Sequence, residues 1–145
     1  MRVVLDTNVI VSAFLVALGA PALIGAAWRA GCFDLIVSPA ILAEYTHTLG
    51  YPRLVRRHHF SSKRIDQEVE IFRKLGIMVE PDNVPAVIAE DPDDDHILAA
   101  AVTGHADYIV TRDPDLLTRE QYRSIRILTP AAFARQLLPR DREHV

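Results

Sequence analysis

Cysteine is nearly absent from this sequence: Cys32 is the only one in 145 residues. A single thiol excludes an intrachain disulfide and a CxxC metal knuckle, and it suits a reducing compartment. A surplus of positive charge is lacking as well. The formal net charge is -3, so the whole molecule exerts no attraction on a polyanion, and such a ligand would have to meet local basic patches or bound cations. The GxxxxGK[ST] phosphate loop, the GxSxG elbow and the HExxH zinc motif are all missing, which removes three familiar routes to phosphate, acyl and zinc chemistry. No internal repeat or low-complexity tract is present. The run from Val9 to Ala27 has no charged residue, which raises the question of a signal peptide or membrane helix. Asp6 and Asn8 stand just ahead of it, and Gly19 and Pro21 break it into two helix-length pieces. Two short buried helices are the better expectation, with no membrane span.

What is present is ordinary globular material. Hydrophobic residues make up 50% and charged residues 24%, which places the chain with folded domains. A chain of this length buries roughly 70% of its unfolded surface and holds a core without staples. A single domain is expected over residues 1–138, with a charged tail at 139–145. Val3-Val4-Leu5 is a continuous apolar run, the mark of a strand buried on both faces. Further strands are expected at Asp34 to Val37, Ile77 to Val79, Tyr108 to Val110 and Ile125 to Leu128. Helix signals lie between them. Asp6-Thr7-Asn8 offers cap chemistry ahead of Val9, and Pro21 starts a helix that Gly31 stops. Ser38-Pro39 opens a helix to Leu49, and Ser61 or Ser62 caps one that Gly76 ends. Helix His96 to Thr103 follows a polar loop, and Thr129-Pro130 caps a last one to Leu137. Alternating strands and helices predict an α/β fold, a parallel sheet with helices on both faces.

Two acidic residues follow strands directly, Asp6 and Asp113. Asp95 opens the helix leading into the fourth strand, and Glu44 lies in the helix after the second. Parallel strands share one carboxyl edge, where α/β sheets bind their ligands. Carboxylates gathered there repel one another, and an oxygen-only cluster suits a hard divalent cation such as Mg²⁺ or Mn²⁺. Each residue also has a structural role open to it. Asp6, Asp93, Asp94 and Asp95 can cap helices, Asp115 can serve a surface turn, and Glu44 can be a solvated carboxylate. Asp91, Asp93 and Asp95 have the spacing of a calcium loop, but His96 and Val102 stand where it needs glycine and glutamate. The basic stretch holds Arg53, Arg56, Arg57, Lys63 and Arg64. It reads either as a solvated helical hairpin or as a phosphate-contacting surface.

These residues carry a resemblance. Val4-Leu5-Asp6-Thr7-Asn8-Val9, Ser38-Pro39 with Glu44, Asp94-Asp95 before Ile97-Leu98-Ala99-Ala100-Ala101, and Ala106 through Asp113 follow in order. In this the chain resembles the PIN domain family, in the branch of toxin components of toxin–antitoxin systems related to VapC-type ribonucleases. The resemblance spans Arg2 to about Leu138. It implies a three-layer α/β/α sandwich around a parallel five-stranded sheet. It implies a cytoplasmic endoribonuclease that cuts single-stranded RNA with metal-activated water. Carried over residue by residue, Asp6, Glu44, Asp95 and Asp113 become ligands of Mg²⁺ or Mn²⁺, with Asn8 and Thr111 supporting them. Asp95 is preferred over Asp94 because it directly precedes His96-Ile97-Leu98-Ala99-Ala100. Arg53, Arg56, Arg57, Lys63, Arg64 and Arg112 are candidate RNA contacts. A small antitoxin and a homodimeric partner are further implications. Two alternatives stand beside this reading: a PIN-like module that binds RNA or protein without cutting, and a flap-type DNA nuclease, for which the chain is short.

Overall fold

The apolar run after Arg2 does form a strand, and the sheet is built outward from it. The structure, a computed structural model, describes residues 1–15, 19–81 and 92–138, with the backbone alone at 92–95. The elements run β1 (Arg2–Leu5), α1 (Thr7–Leu15), α2 (Gly19–Arg29), β2 (Asp34–Val37), α3 (Pro39–Leu49), α4 (Pro52–His58) and α5 (Ser62–Leu75). They continue as β3 (Ile77–Met78), α6 (Pro92–Thr103), β4 (Tyr108–Val110), α7 (Pro114–Leu117), β5 (Gln121–Tyr122), β6 (Ile125–Leu128) and α8 (Pro130–Leu137). The strand order is β3-β2-β1-β4-β6-β5. Every pairing is parallel except β5 with β6. Connections that advance β1→β2→β3 and one that returns β3→β4 put their helices on opposite faces, because parallel crossovers are right-handed. Helix α6 lies over β1, β2 and β4, while α8 packs on α2 and β6.

Val3, Val4 and Leu5 are all 0% exposed, so β1 is covered on both faces. Each such side chain contributes about 1.5–3 kcal/mol relative to exposure. Ile36, Val37, Ile109, Val110 and Ile127 extend the same core. Phe14, Trp28, Phe72 and Tyr45 form a ring cluster beneath α1, α2, α3 and α5. Phe14 meets Phe72 edge-on at 4.9 Å, and Trp28 stacks on Phe72 at 5.2 Å. The uncharged run becomes two short helices joined at a bend of 84°. Among the described residues no single helix is long and apolar enough to cross a membrane.

The expected sheet needs one correction. It has six strands rather than five, since Gln121–Tyr122 adds an antiparallel edge. A strand of two residues has no period to read. Helix α6 begins at Pro92, so Asp95 lies within its first turns and does not open it. Helix α4 occupies the first half of the basic stretch, as a hairpin arm would. The tail at 139–145 lies outside the described residues.

Candidate functional site

The sheet reverses its order of growth at β1, which has β2 on one side and β4 on the other. The crevice at the carboxyl ends of β1 and β4 is therefore the topological switch point, the usual ligand position in such sheets. Asp6 stands there. Its N–H donates to the Val110 carbonyl at 2.9 Å, continuing the strand. Its carbonyl accepts from Val9 and Ile10, starting α1. One residue thus ends a strand and begins a helix, and its side chain is left facing the crevice.

That side chain is not a simple cap. A cap oxygen bonds the N–H two or three residues on. Asp6 Oδ1 instead accepts from the adjacent Thr7 N–H at 2.7 Å, and Oδ2 accepts the Thr111 hydroxyl at 2.7 Å. Burial pushes the Asp6 carboxyl above its ordinary value. The Thr111 and Thr7 bonds pull it down, and the charges of Glu44 and Asp113 add to the rise. Thr111 is 0% exposed. Its oxygen also accepts the Asp113 N–H at 3.0 Å, so one hydroxyl ties the ends of β1 and β4 together.

Asp113 caps α7, where its Oδ1 accepts the Asp115 N–H at 2.9 Å. Asp115 itself is exposed and does not line the cleft. Glu44 comes from α3. Ser38 aims that helix, with its Oγ accepting the Ile41 N–H at 3.2 Å and Pro39 in the first turn. The Glu44 Oε2 lies 3.0 Å from His96 Nε2, which sits on α6. Asp6, Glu44 and Asp113 line one cleft of about 670 Å³, together with Asn8, Arg53 and Arg112. Among the described residues neither Asp6 nor Asp113 is paired with a cation.

The donor set fits a hard divalent ion. It consists of carboxylate oxygens lining one cleft, desolvated at Asp6 and, among the described residues, without a paired cation there. Among the described residues no three of His, Cys, Asp and Glu are close enough to hold one ion. The Asp95 side chain, the fourth expected ligand, lies outside the described residues.

Of the expected supporting groups, Thr111 is bonded to Asp6, whereas Asn8 is exposed on the cleft wall. The basic residues divide. Arg53 lines both the acidic cleft and an adjoining groove of about 630 Å³, which Arg57 also lines. Arg112 reaches Ser12 Oγ at 3.2 Å from the cleft side. Arg56, Lys63 and Arg64 line neither cavity, and Arg64 is bonded to Glu68 at 2.8 Å. His58 is structural: one ring nitrogen meets the Leu49 carbonyl and the other accepts the Phe60 N–H. Sequence reasoning missed His96 as a neighbour of Glu44. The two are 52 positions apart, and no local spacing links them.

Comparison with known proteins adds two findings. A PIN domain family model matches residues 2–115, and no curated protein matches the chain. A chain in the crystal structure of VapBC2 from Rickettsia felis bound to a DNA fragment from their promoter is similar in fold. Its TM-score is 0.60 at 14% identity, covering 89% of this chain and 98% of that one. At that identity the likeness is one of fold.

Proposed function

The chain belongs to the PIN domain family, whose members are in general nucleases, and on that premise we propose that it is a metal-dependent endoribonuclease cutting single-stranded RNA. The observation that carries the reading is the Asp6 carboxylate. It is buried at the switch point, held by Thr7 and Thr111, and faces Glu44 and Asp113 with no cation paired to it among the described residues. Asp6, Glu44, Asp95 and Asp113 would hold Mg²⁺ or Mn²⁺. When bound, the ion would supply charge neutralisation at the phosphate and a water of lowered pKa.

The chain's own groups prepare that site. The Thr111 hydroxyl and the Thr7 N–H favour the ionised form of Asp6 against the cost of burial. Arg53, Arg57 and Arg112 line the way into the cleft and would contact backbone phosphates. Such contacts fix register without reading sequence. Contiguity of the acidic cleft with the groove, through Asn8, Thr48 and Arg53, suits an extended single strand. The likeness to a VapBC chain supports the further reading that this is the toxin of a type II toxin–antitoxin pair, with a small antitoxin as partner. A cytoplasmic site of action goes with that reading and with the free thiol of Cys32.

Labelled RNA and DNA oligonucleotides, incubated with wild type and Asp6→Asn in Mg²⁺, Mn²⁺ or EDTA, test the proposal. RNA is expected to be cut only with metal and only by wild type. Cutting in EDTA, or by Asp6→Asn, would sink it. DNA cutting alone would reassign the substrate, and no cutting with no Mn²⁺ binding would favour a binding module.

A further inference from the structure

We propose that His96 is a positioning residue for Glu44, fixing that carboxylate at the cleft through a hydrogen bond from Nε2. The inference rests on reading Glu44 as a metal ligand. Glu44 on α3 has several side-chain torsions to freeze, and its side chain is 39% exposed. The His96 side chain is only 18% exposed. It bridges from α6 at 3.0 Å, joining the two helices across the cleft. The residue also borders a smaller cavity of about 240 Å³, lined by Pro39, Ala40, Pro81 and Ala99 among others. The low exposure of the ring and its Nε2 contact with the carboxylate restrict the imidazole's orientation.

The second ring nitrogen supports the same assignment. His96 Nδ1 is buried with no partner among the described residues. A carboxylate only accepts, so the nitrogen facing it must carry the hydrogen. A neutral ring with the hydrogen on Nε2 leaves Nδ1 a bare lone pair. His96 is therefore a directed donor to Oε2, and the remaining carboxylate lone pairs stay available to the cleft. Groups that hydrogen-bond metal-binding carboxylates typically change metal affinity by roughly 10–100-fold.

The test is Mn²⁺ titration calorimetry on wild type, His96→Gln, His96→Asn, His96→Leu and Glu44→Gln, with a melting curve for each. A long-range ¹H–¹⁵N spectrum of the metal-free wild type reads the tautomer. The Gln amide nitrogen can take the place of Nε2, whereas that of Asn falls short, near Nδ1. His96→Gln should bind Mn²⁺ within about threefold of wild type, and His96→Asn and His96→Leu roughly 10-fold or more weaker. Melting points should be similar, and the spectrum should show the hydrogen on Nε2. Unchanged Mn²⁺ affinity in His96→Leu, equal losses in the Gln and Asn variants, or a hydrogen on Nδ1 would overturn the role of His96. Absence of Mn²⁺ binding in wild type would instead overturn the metal reading, and the role of His96 with it.

Discussion

Replacing Thr111 with Val tests the link between fold and site at one atom. The side chain is fully buried, and Val keeps nearly its shape. The change removes the 2.7 Å bond to Asp6 Oδ2 and the 3.0 Å bond from the Asp113 N–H. A hydrogen bond to a charged group contributes about 1.5–3 kcal/mol, and a stranded N–H costs about 1–3 kcal/mol, less where water can reach it. The added methyl returns about 0.8 kcal/mol. The balance is a loss of about 2–4 kcal/mol at neutral pH, or roughly 6–12 °C in melting temperature. The loss should depend on pH. Burial raises the folded-state pKa of Asp6 above the ordinary 3.8, so the folded protein holds that proton more tightly than the unfolded chain. Stability then falls as pH rises from the unfolded value through the folded one. Thr111 is one of two groups opposing the rise, so without it the decline runs further. The gap between wild type and variant should be smallest in acid, where Asp6 is neutral in both, and widest near neutrality. Urea melts across that range measure it. A gap below about 1 kcal/mol, or one that does not change with pH, would refute the argument that the hydroxyl acts on the Asp6 charge.

Four further outcomes follow from the structure. Asp6→Asn should lower cleavage by more than roughly 100-fold, beyond the range of a merely supporting group. It should also raise the melting temperature of the metal-free protein near neutral pH, with the gain fading in acid; a lower melting temperature there would contradict a costly buried charge. Saturating Mn²⁺ should stabilise wild type by about 2.7 kcal/mol at 100 times Kd and leave Asp6→Asn unmoved, as thermal shift will show. Arg53→Ala and Arg57→Ala should each weaken oligonucleotide binding and reduce the salt slope by about one, whereas Lys63→Ala, outside both cavities, should leave the slope alone. Gly25→Ala should cost about 1–3 kcal/mol by overpacking, because its methyl would stand 2.5 Å from the Ala13 carbonyl oxygen where α1 and α2 cross; an unchanged denaturation midpoint would disprove that close approach.

Some of this was legible in the chain because the signals are local. Val3-Val4-Leu5 is apolar without alternation, and a strand covered on both faces requires that. Ser38-Pro39 and Thr129-Pro130 carry their cap chemistry within three or four residues, and both caps form, at 3.2 Å and 3.1 Å. Gly31 stops α2 with a positive φ of 78°, a conformation glycine adopts freely. The two-residue strand β5 was not legible, since pairing with β6 rather than its own pattern makes it a strand. Nor was the start of α6, where Pro92 and three aspartates read equally well as loop or first turn.

Hydrophobic period and capping act over a few residues, so local pattern alone encodes the alternation of strands and helices and the acidic residues just after strands. Which of those residues meet depends on tertiary structure, on how distant segments pack. Strand order puts Asp6 beside Thr111 across 105 positions, and α3 and α6 bring Glu44 to His96. It also separated Arg53 and Arg57, which line the groove, from Arg64, which bonds Glu68 instead. Those distinctions depend on crossovers and helix packing, interactions between segments far apart in the chain, and no local pattern encodes them.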